Sequence, residues 1–199
     1  MTDAAKAAVH LFEDTPKRIR EVFAAATCLV SKHEVELALD KMATAISYEV
    51  GHSNPILMCV VIGGMIPIGN LLPRLNFPLE VDYIHVTRYG HQFKGSELEW
   101  KVKPSLDIKG RTVVVVDDIL DGGITLAEIV KFCEAAGAEK VYSAVLVDKQ
   151  CSRLANGLKT ADFTGITVDD YFVFGYGMDY KGYLRNAPGI YCVHEKHQK

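Results

Sequence analysis

The sequence predicts an α/β protein in which a mainly parallel central sheet is flanked by helices. Apolar runs of strand length alternate along the chain with segments whose apolar residues recur at helical spacing. The four consecutive valines at residues 113–116 have no polar break, which is typical of a strand buried on both faces. Such an alternation favours a parallel sheet with helices on both of its faces.

Two helices are predicted before the first strand of that sheet. Thr15 and Pro16 form a helix-start signal for residues 16–30. Residues 32–50 carry one apolar stripe at helical spacing, which consists of Val35, Leu39, Met42, Ile46 and Val50. We expect both helices to pack or assemble through their apolar faces.

The remaining elements alternate between strands and helices. Strands are predicted at residues 56–62, 79–87, 113–116 and 141–147. Helices are predicted at about residues 65–75 and 126–136, the second ending at the C-cap Gly137. The long segment 88–104 is either a two-stranded arm or a mobile loop, with a short strand at residues 98–102.

Composition and charge narrow the classes of function. The chain has 199 residues, 49% of them hydrophobic, which is enough for a sizeable core in one domain. A net charge of −3 argues against nucleic acid and anionic membranes as partners. The five cysteines are scattered singly, and neither a signal peptide nor a membrane span is recognisable. We therefore expect a cytoplasmic protein that acts on small molecules.

The end of the valine strand carries the strongest functional signal. Asp117 and Asp118 follow it directly, Asp121 comes three positions later, and Gly122 and Gly123 precede a predicted helix. Ligands of parallel sheets bind at the carboxyl ends of strands, and free N–H groups at a helix start suit a phosphate. Capping the helix requires only one acid, whereas a pair suits sugar hydroxyls or a cation. This block predicts a site for a phosphorylated sugar with a divalent metal.

Other phosphate-binding motifs lack their required residues. The P-loop of nucleoside-triphosphate hydrolases needs Lys and Ser or Thr after its last glycine, whereas Asn70 and Leu71 follow Gly69. The dinucleotide-binding fingerprint of three glycines is missing too. A receiver domain has its acid pair after the first strand, whereas Asp117 lies past the middle of this chain.

Residues 113–125 resemble the 5-phosphoribosyl-1-pyrophosphate (PRPP) motif of the type I phosphoribosyltransferases. Three further segments resemble the hypoxanthine-guanine branch of that family: Val-Val-Ile-Gly-Gly at residues 60–64, Leu-Val-Asp-Lys at 146–149, and residues 171–185. The resemblance covers about residues 55–199, and the last segment is the most specific for enzymes of 6-oxopurines. It implies transfer of ribose 5-phosphate from PRPP to purine N9 with Mg²⁺, releasing pyrophosphate.

The resemblance also implies a fold and its subdivisions. It implies the type I phosphoribosyltransferase fold, a single domain over residues 1–199 with a small hood subdomain and a mobile lid loop. We expect N-terminal helices over about residues 1–50, a core over about 55–150 and a purine-binding hood over about 150–199. The lid begins at Arg88 and Tyr89, where the family usually has Ser-Tyr.

Roles for the strand and the turn follow from the resemblance. Asp117 and Asp118 hold the ribose 2′- and 3′-hydroxyls, one of them through Mg²⁺, and Asp121 lies near purine N7 as proton acceptor or electrostatic partner. The 5′-phosphate lies against Gly122, Gly123, Ile124 and Thr125. Since the family usually has threonine where Gly122 stands, we expect main-chain donors and Thr125 to do more of the binding here.

The resemblance assigns the purine to the C-terminal part of the chain. Lys149 donates to the 6-oxo group, Phe172 stacks on the base, and the backbone of Val173 reads its edge. An ammonium only donates hydrogen bonds, so Lys149 selects hypoxanthine and guanine over adenine. Without the resemblance, Lys149 is equally well a solvated lysine at a strand end, and Phe172 a core aromatic.

Pyrophosphate and a second Mg²⁺ are assigned to three further places. Asp179 binds the metal, and Arg185 binds the pyrophosphate together with the loop Ile62-Gly63-Gly64. The family often has a cis peptide before the first glycine of this loop. Many members have lysine where Ile62 stands, so main-chain amides are expected to bind the anion here.

The sequence thus predicts a purine salvage enzyme, a hypoxanthine-guanine phosphoribosyltransferase that forms a homodimer or homotetramer. A xanthine-preferring relative is the first alternative. The second is a regulator of the same fold that senses PRPP or a nucleotide. A regulator is disfavoured because the net charge is −3 and the sequence keeps all four of the expected catalytic and binding residues, Asp121, Lys149, Asp179 and Arg185. The preference among hypoxanthine, guanine and xanthine stays open, as do the oligomeric state and the role of the N-terminal helices.

Overall fold

The computed structural model describes residues 17–88 and 98–198. In chain order the elements are α1 (Lys17–Ala25), β1 (Thr27–Ser31), α2 (Lys32–Val50), β2 (Ile56–Val61), α3 (Met65–Leu71), β3 (Glu80–Arg88), β4 (Leu98–Val102), β5 (Thr112–Leu120), α4 (Ile124–Ala135), β6 (Lys140–Gln150), β7 (Phe163–Asp169), β8 (Val173–Phe174) and β9 (Gly189–Cys192). Short 3₁₀ helices span Leu72–Arg74 and Glu195–His197.

A six-stranded sheet in the order β4-β3-β2-β5-β6-β7 forms the centre of the protein. Five neighbouring strands of this sheet, β3, β2, β5, β6 and β7, run parallel to one another. The edge strand β4 is antiparallel to its neighbour β3. The α/β prediction is confirmed, as is the short strand at residues 98–102. The four valines at residues 113–116 are fully buried, because β5 has a strand on each side and helices over both faces.

Helices α2 and α3 cover one face of the sheet, and α4 covers the other. The predicted stripe of α2 is buried along its whole length and packs with residues of β2 and β5, such as Leu57 and Val114. On the opposite face, Leu126 and Ile129 of α4 pack with Val113 and its neighbours in β5. Burying an aliphatic side chain of this kind stabilises the fold by about 1.5–3 kcal/mol.

A smaller sheet in the order β1-β9-β8 joins the two ends of the described chain. Helix α1 packs against it, with the ring of Phe23 5.2 Å from Tyr191 and 6.1 Å from Phe174. The predicted helix over residues 16–30 is therefore wrong in its second half. Residues 27–31 pair with β9, and a partner from the far end of the chain leaves no trace in local periodicity.

Within the two described stretches, no helix combines the length and apolarity needed to cross a lipid bilayer.

Candidate active site

The carboxyl ends of β2, β5 and β6 lie at one edge of the central sheet. The glycine loop follows β2, the acid pair lies in the second half of β5, and Lys149 is close to the end of β6. In the ladder, Asp117 is paired with Val145 and Leu120 with Asp148. Parallel pairing thus places three sequence segments where ligands of open α/β sheets bind.

The loop after β2 packs directly on the acid pair. A methyl group on Gly63 would lie 2.1 Å from Oδ2 of Asp118, and one on Gly64 would lie 2.6 Å from the carbonyl oxygen of Val116. A side chain at position 64 would therefore meet fixed backbone, and one at position 63 would displace the buried carboxylate of Asp118. The expected cis peptide is present before the first glycine of the loop, where it joins Val61 to Ile62.

Asp117 and Asp118 are almost withdrawn from solvent, with exposed fractions of 9% and 8%. The main-chain N–H of Asp118 donates to Oδ1 of Asp117 at 2.9 Å. Burial raises the pKa of both carboxyls, and the negative charge of Asp118 raises the pKa of Asp117 further. A buried pair of this kind gains from a ligand that brings hydroxyl donors or a cation.

Arg185 connects this pair to the C-terminal segment. Its Nη2 lies 2.7 Å from Oδ1 of Asp179, and its Nη1 lies 3.9 Å from Oδ2 of Asp118. The same Nη1 donates to the carbonyl oxygen of Gly177 at 2.6 Å. A methyl group on Gly177 would lie only 2.2 Å from the carbonyl oxygen of Gly63, so the two loops touch through their backbones. The arginine is thus held beside the glycine loop.

Lys149 lies between two carboxylates. Its Nζ is 2.9 Å from Oδ1 of Asp170 and 3.5 Å from Oδ1 of Asp121. Burial lowers the pKa of Lys149, but the hydrogen bond to Asp170 and the charge of Asp121 outweigh this effect and raise the pKa above its usual value. With a side chain only 15% exposed, Lys149 is not a solvated lysine at a strand end.

Phe172 lies directly before β8, three residues after the end of β7. The residue is 45% exposed and meets Tyr180 edge-on, with ring centroids 6.0 Å apart. A core aromatic does not fit that exposure. The next residue, Val173, is buried in β8. A half-exposed aromatic ring directly before a strand is suited to stacking on a flat ligand.

The turn between β5 and α4 forms a bare helix N-terminus. Gly123 has φ +81°, a left-handed conformation that favours glycine, and no side chain caps the helix. The first N–H groups of a helix lack partners within it, and the helix dipole makes this end favourable for anions. The turn therefore has the donors that a phosphate needs.

A cluster of three or more potential metal ligands does not occur within residues 17–88 and 98–198. Magnesium does not require one, since it binds through one or two carboxylates and completes its shell with water and substrate phosphates. Asp179 is available for this role because its side chain is 33% exposed and each of its oxygens can accept a further contact beside the bonds to Arg185 and to the main-chain N–H of Gly182. The donor set thus fits a magnesium ion that arrives with a phosphorylated ligand.

Two residues of the site were not predicted. Asp170 forms an ion pair with Lys149 and lies just after β7, at the same edge of the sheet as the predicted residues. Its place at the carboxyl end of a strand is the signal by which the sequence could have indicated it. Arg153 binds main-chain carbonyls on both sides of the site. Carbonyl oxygens are the same in every residue, so the sequence has no signal for such contacts. Of the predicted lid, Arg88 ends β3 and Tyr89 lies outside the described residues.

Comparison with known proteins agrees with this geometry. Residues 27–181 match the family model of the phosphoribosyl transferase domain. The chain is 32% identical to the hypoxanthine-guanine phosphoribosyltransferase of Bacillus subtilis (strain 168) over 164 residues, which are 81% of this chain and 89% of that protein. It is 29% identical to the hypoxanthine-guanine-xanthine phosphoribosyltransferase of Tritrichomonas foetus, over 84% of this chain and 91% of that protein.

A solved structure shows the same fold. The crystal structure of a hypoxanthine phosphoribosyltransferase from Staphylococcus aureus superposes with a TM-score of 0.81 at 22% identity, covering 87% of this chain and 94% of that one. The family model matches most of the chain, and the Bacillus subtilis relative is similar over nearly its full length. The chain belongs to the phosphoribosyltransferase family, in its hypoxanthine-guanine branch.

Proposed function

We propose that this protein transfers ribose 5-phosphate from PRPP to N9 of hypoxanthine and guanine, forming IMP or GMP and pyrophosphate in purine salvage. The observation that carries the proposal is the pair Lys149 and Asp121, which face each other next to the buried acids of β5. A hydrogen-bond donor and an acceptor for the base thus lie beside a site suited to a sugar phosphate. The names of the relatives support the same reaction.

The ribose, the 5′-phosphate and the pyrophosphate of PRPP each bind to a different part of the site. The ribose hydroxyls donate to Asp117 and Asp118, whose burial favours ligands that bring donors. The 5′-phosphate lies at the uncapped start of α4, against residues 122–125. The pyrophosphate lies between the glycine loop, residues 62–64, and the guanidinium of Arg185, which is suited to phosphate oxygens.

The purine lies against the ends of β6 and β7. Lys149 donates to the 6-oxo group, and Asp170 keeps its ammonium charged and in place. Adenine offers an amino group at that position, which an ammonium cannot accept from. Phe172 stacks on the base, and the main chain at Val173 reads its edge.

In the reaction, the bond from the ribose carbon C1′ to pyrophosphate breaks, and its electron pair leaves with pyrophosphate. N9 of the purine then forms the new bond to C1′ with its own electron pair. Asp121 accepts the purine proton or stabilises the positive charge that develops on the base. Arg185 offsets the charge on the leaving group. Magnesium held by Asp179 and the acid pair supplies further positive charge there when it is bound.

A second candidate function is transfer to xanthine. The Tritrichomonas foetus relative is named for hypoxanthine, guanine and xanthine. Xanthine also has the 6-oxo group that Lys149 recognises, so only contacts at the purine 2-position separate the two functions. A regulator is a weaker candidate, because Lys149, Asp121 and Arg185 all have the geometry of a working site.

We also propose that the protein assembles through an apolar face beside α3. Val81 and Tyr83 of β3 are 48% and 49% exposed, and they pair with Leu57 and Cys59 on the sheet face that α2 and α3 cover. A second copy of the chain is the occupant we expect, as a homodimer or within a homotetramer. Light scattering at several concentrations measures this directly, and a strict monomer would contradict it.

The function is tested by supplying hypoxanthine, guanine, xanthine and adenine separately, each with PRPP and Mg²⁺. Nucleotide formation is followed by chromatography. We expect IMP and GMP from the first two bases and a much slower formation of AMP from adenine. Faster turnover of xanthine than of hypoxanthine would favour the second candidate, and conversion of none of the bases would contradict both.

A further inference from the structure

We infer that Arg153 is a positioning residue of the proposed reaction, which holds the phosphate turn and the purine lysine in register. It does so as part of a segment, residues 153–158, that we call the brace. The inference rests on the proposed function, because it concerns how that site is kept in shape.

The side chain of Arg153 binds backbone on both sides of the site. Its Nη1 carries two N–H groups and donates to the carbonyl oxygens of Asp121 and Lys149, both at 2.7 Å; the carbonyl oxygen of Leu120, at 3.1 Å, shares one of these N–H groups. Its Nη2 forms an ion pair with Asp148. The side chain is only 10% exposed, so it is a built-in part of the interior rather than a surface group. A lysine cannot reproduce this fork of donors.

Arg153 connects β5 and β6 at the point where the hydrogen bonds between these two strands end. The pairing of β5 with β6 ends at Leu120 and Asp148. The next residues, Asp121 and Lys149, are the two that face each other across the proposed purine site. Since Arg153 binds the carbonyl oxygens of both, it replaces the missing ladder contact at the point where the reaction needs the spacing.

The backbone of the brace extends this support to the phosphate turn. The N–H of Leu154 donates to the carbonyl of Gly122 at 3.1 Å, and that of Leu158 donates to the carbonyl of Gly123 at 3.0 Å. With the two bonds from Arg153, successive carbonyls from residue 120 to residue 123 all accept from the brace. Because these carbonyl oxygens point toward the brace, they do not point toward the phosphate, which they would otherwise repel.

Close backbone packing keeps the brace in place. A methyl group on Gly157 would lie 2.2 Å from the carbonyl oxygen of Gly122, and one on Gly123 would lie 2.4 Å from that of Leu158. The contact therefore needs glycine on both sides. In the absence of a side-chain hydroxyl at Gly122, the position of this main chain matters more for holding the phosphate.

A displacement of about 1 Å at reacting groups lowers rates by about 100-fold. We therefore expect the variants Arg153→Met and Arg153→Lys to raise the KM for hypoxanthine and for PRPP at least about 10-fold and to lower kcat. Arg153→Lys keeps the charge opposite Asp148, so a folded variant is available even if Arg153→Met is unstable. The ratio of hypoxanthine to adenine turnover is measured alongside, since it reports on the position of Lys149.

Arg111 provides the matched control. It also binds a main-chain carbonyl, that of Asn54 at 2.8 Å, and a carboxylate, that of Glu80 at 2.7 Å, with a side chain 26% exposed. It lies at the start of the sheet strands, away from the site. Arg111→Met should lower Tm and leave both KM values within about 2-fold of the parent.

The outcomes separate the two proposals. Failure of the parent protein to form IMP overturns the proposed function. An active parent with Arg153 variants whose KM values and purine selectivity are unchanged overturns the positioning role, even if their Tm falls. Raised KM values and reduced selectivity for Arg153→Lys, without the same change in Arg111→Met, support it.

Discussion

The ammonium of Lys149 and the carboxylate of Asp121 lie 3.5 Å apart, at the ends of neighbouring segments of the central sheet. One group only donates hydrogen bonds, and the other only accepts them when ionised. The 6-oxo group and N7 are neighbours on one edge of a 6-oxopurine. The two side chains therefore match two adjacent atoms of the proposed base, one for recognition and one for chemistry.

Replacing Asp121 with asparagine tests the chemical half of this pair. The substitution keeps the size of the side chain and removes its charge, so we expect a folded protein whose kcat is lower by about 100-fold or more. Circular dichroism checks the fold, and initial rates with hypoxanthine give kcat. Near-normal rates would remove Asp121 from the reaction.

Recognition is tested at Lys149. Hydrogen bonds to charged groups contribute about 1.5–3 kcal/mol, so Lys149→Ala should reduce the preference for hypoxanthine over adenine by roughly 10- to 100-fold. The ratio of the two kcat/KM values measures this. An unchanged ratio would refute the assigned role.

A pH effect is expected from Asp170, which raises the pKa of Lys149. A lysine whose pKa is raised in the folded protein stays charged, and keeps its ion pair, until the pH passes that raised value. In Asp170→Asn, the negative charge that raises the pKa of Lys149 is reduced, while burial still lowers it. The pKa of Lys149 therefore falls. The alkaline loss of hypoxanthine binding should begin at lower pH than in the parent. Superimposable pH profiles of KM would contradict this role of Asp170.

The acid pair predicts a conflict between stability and function. Asp117 and Asp118 are buried next to each other, and both carboxyls have raised pKa values because burial disfavours their charge. Asp117→Asn should therefore raise Tm at pH 8 in chelator, by about 2–4 °C for each 1 kcal/mol gained, while weakening PRPP binding. A calorimetric scan measures the first effect. A lower Tm together with intact PRPP binding would show that the carboxylate has a structural role.

Removal of the metal is expected to stop the reaction. Arg185, which is itself paired with Asp179, leaves the charge of pyrophosphate only partly compensated, so turnover should be lost in excess chelator and recover with added Mg²⁺. Recovery is followed as a function of Mg²⁺ concentration. Full activity in chelator would contradict the metal-assisted account.

Local patterns predicted the elements that bury one continuous apolar face. The valine run of β5 and the stripe of α2 are examples, because packing on the sheet dictates their periodicity. The second half of the first predicted helix was wrong, since residues 27–31 pair with β9, more than 150 residues away along the chain. Long-range pairing of this kind overrides local propensity.

The site was predictable to the extent that side-chain chemistry and strand ends reveal it. Asp117, Asp118 and Lys149 are charged residues at the ends of apolar strands, which is a recognisable pattern. Arg153 is different, because it binds carbonyl oxygens whose positions exist only in the fold. The tight backbone contacts of Gly157 were equally invisible.

If this site joins a 6-oxopurine to the ribose 5-phosphate of PRPP, pyrophosphate release must depend on the purine. Pyrophosphate release, measured with and without hypoxanthine in the presence of PRPP and Mg²⁺, tests it most directly. We expect release only when hypoxanthine is present, with one pyrophosphate formed for each IMP. Release that does not depend on the purine, or no release at all, would contradict it.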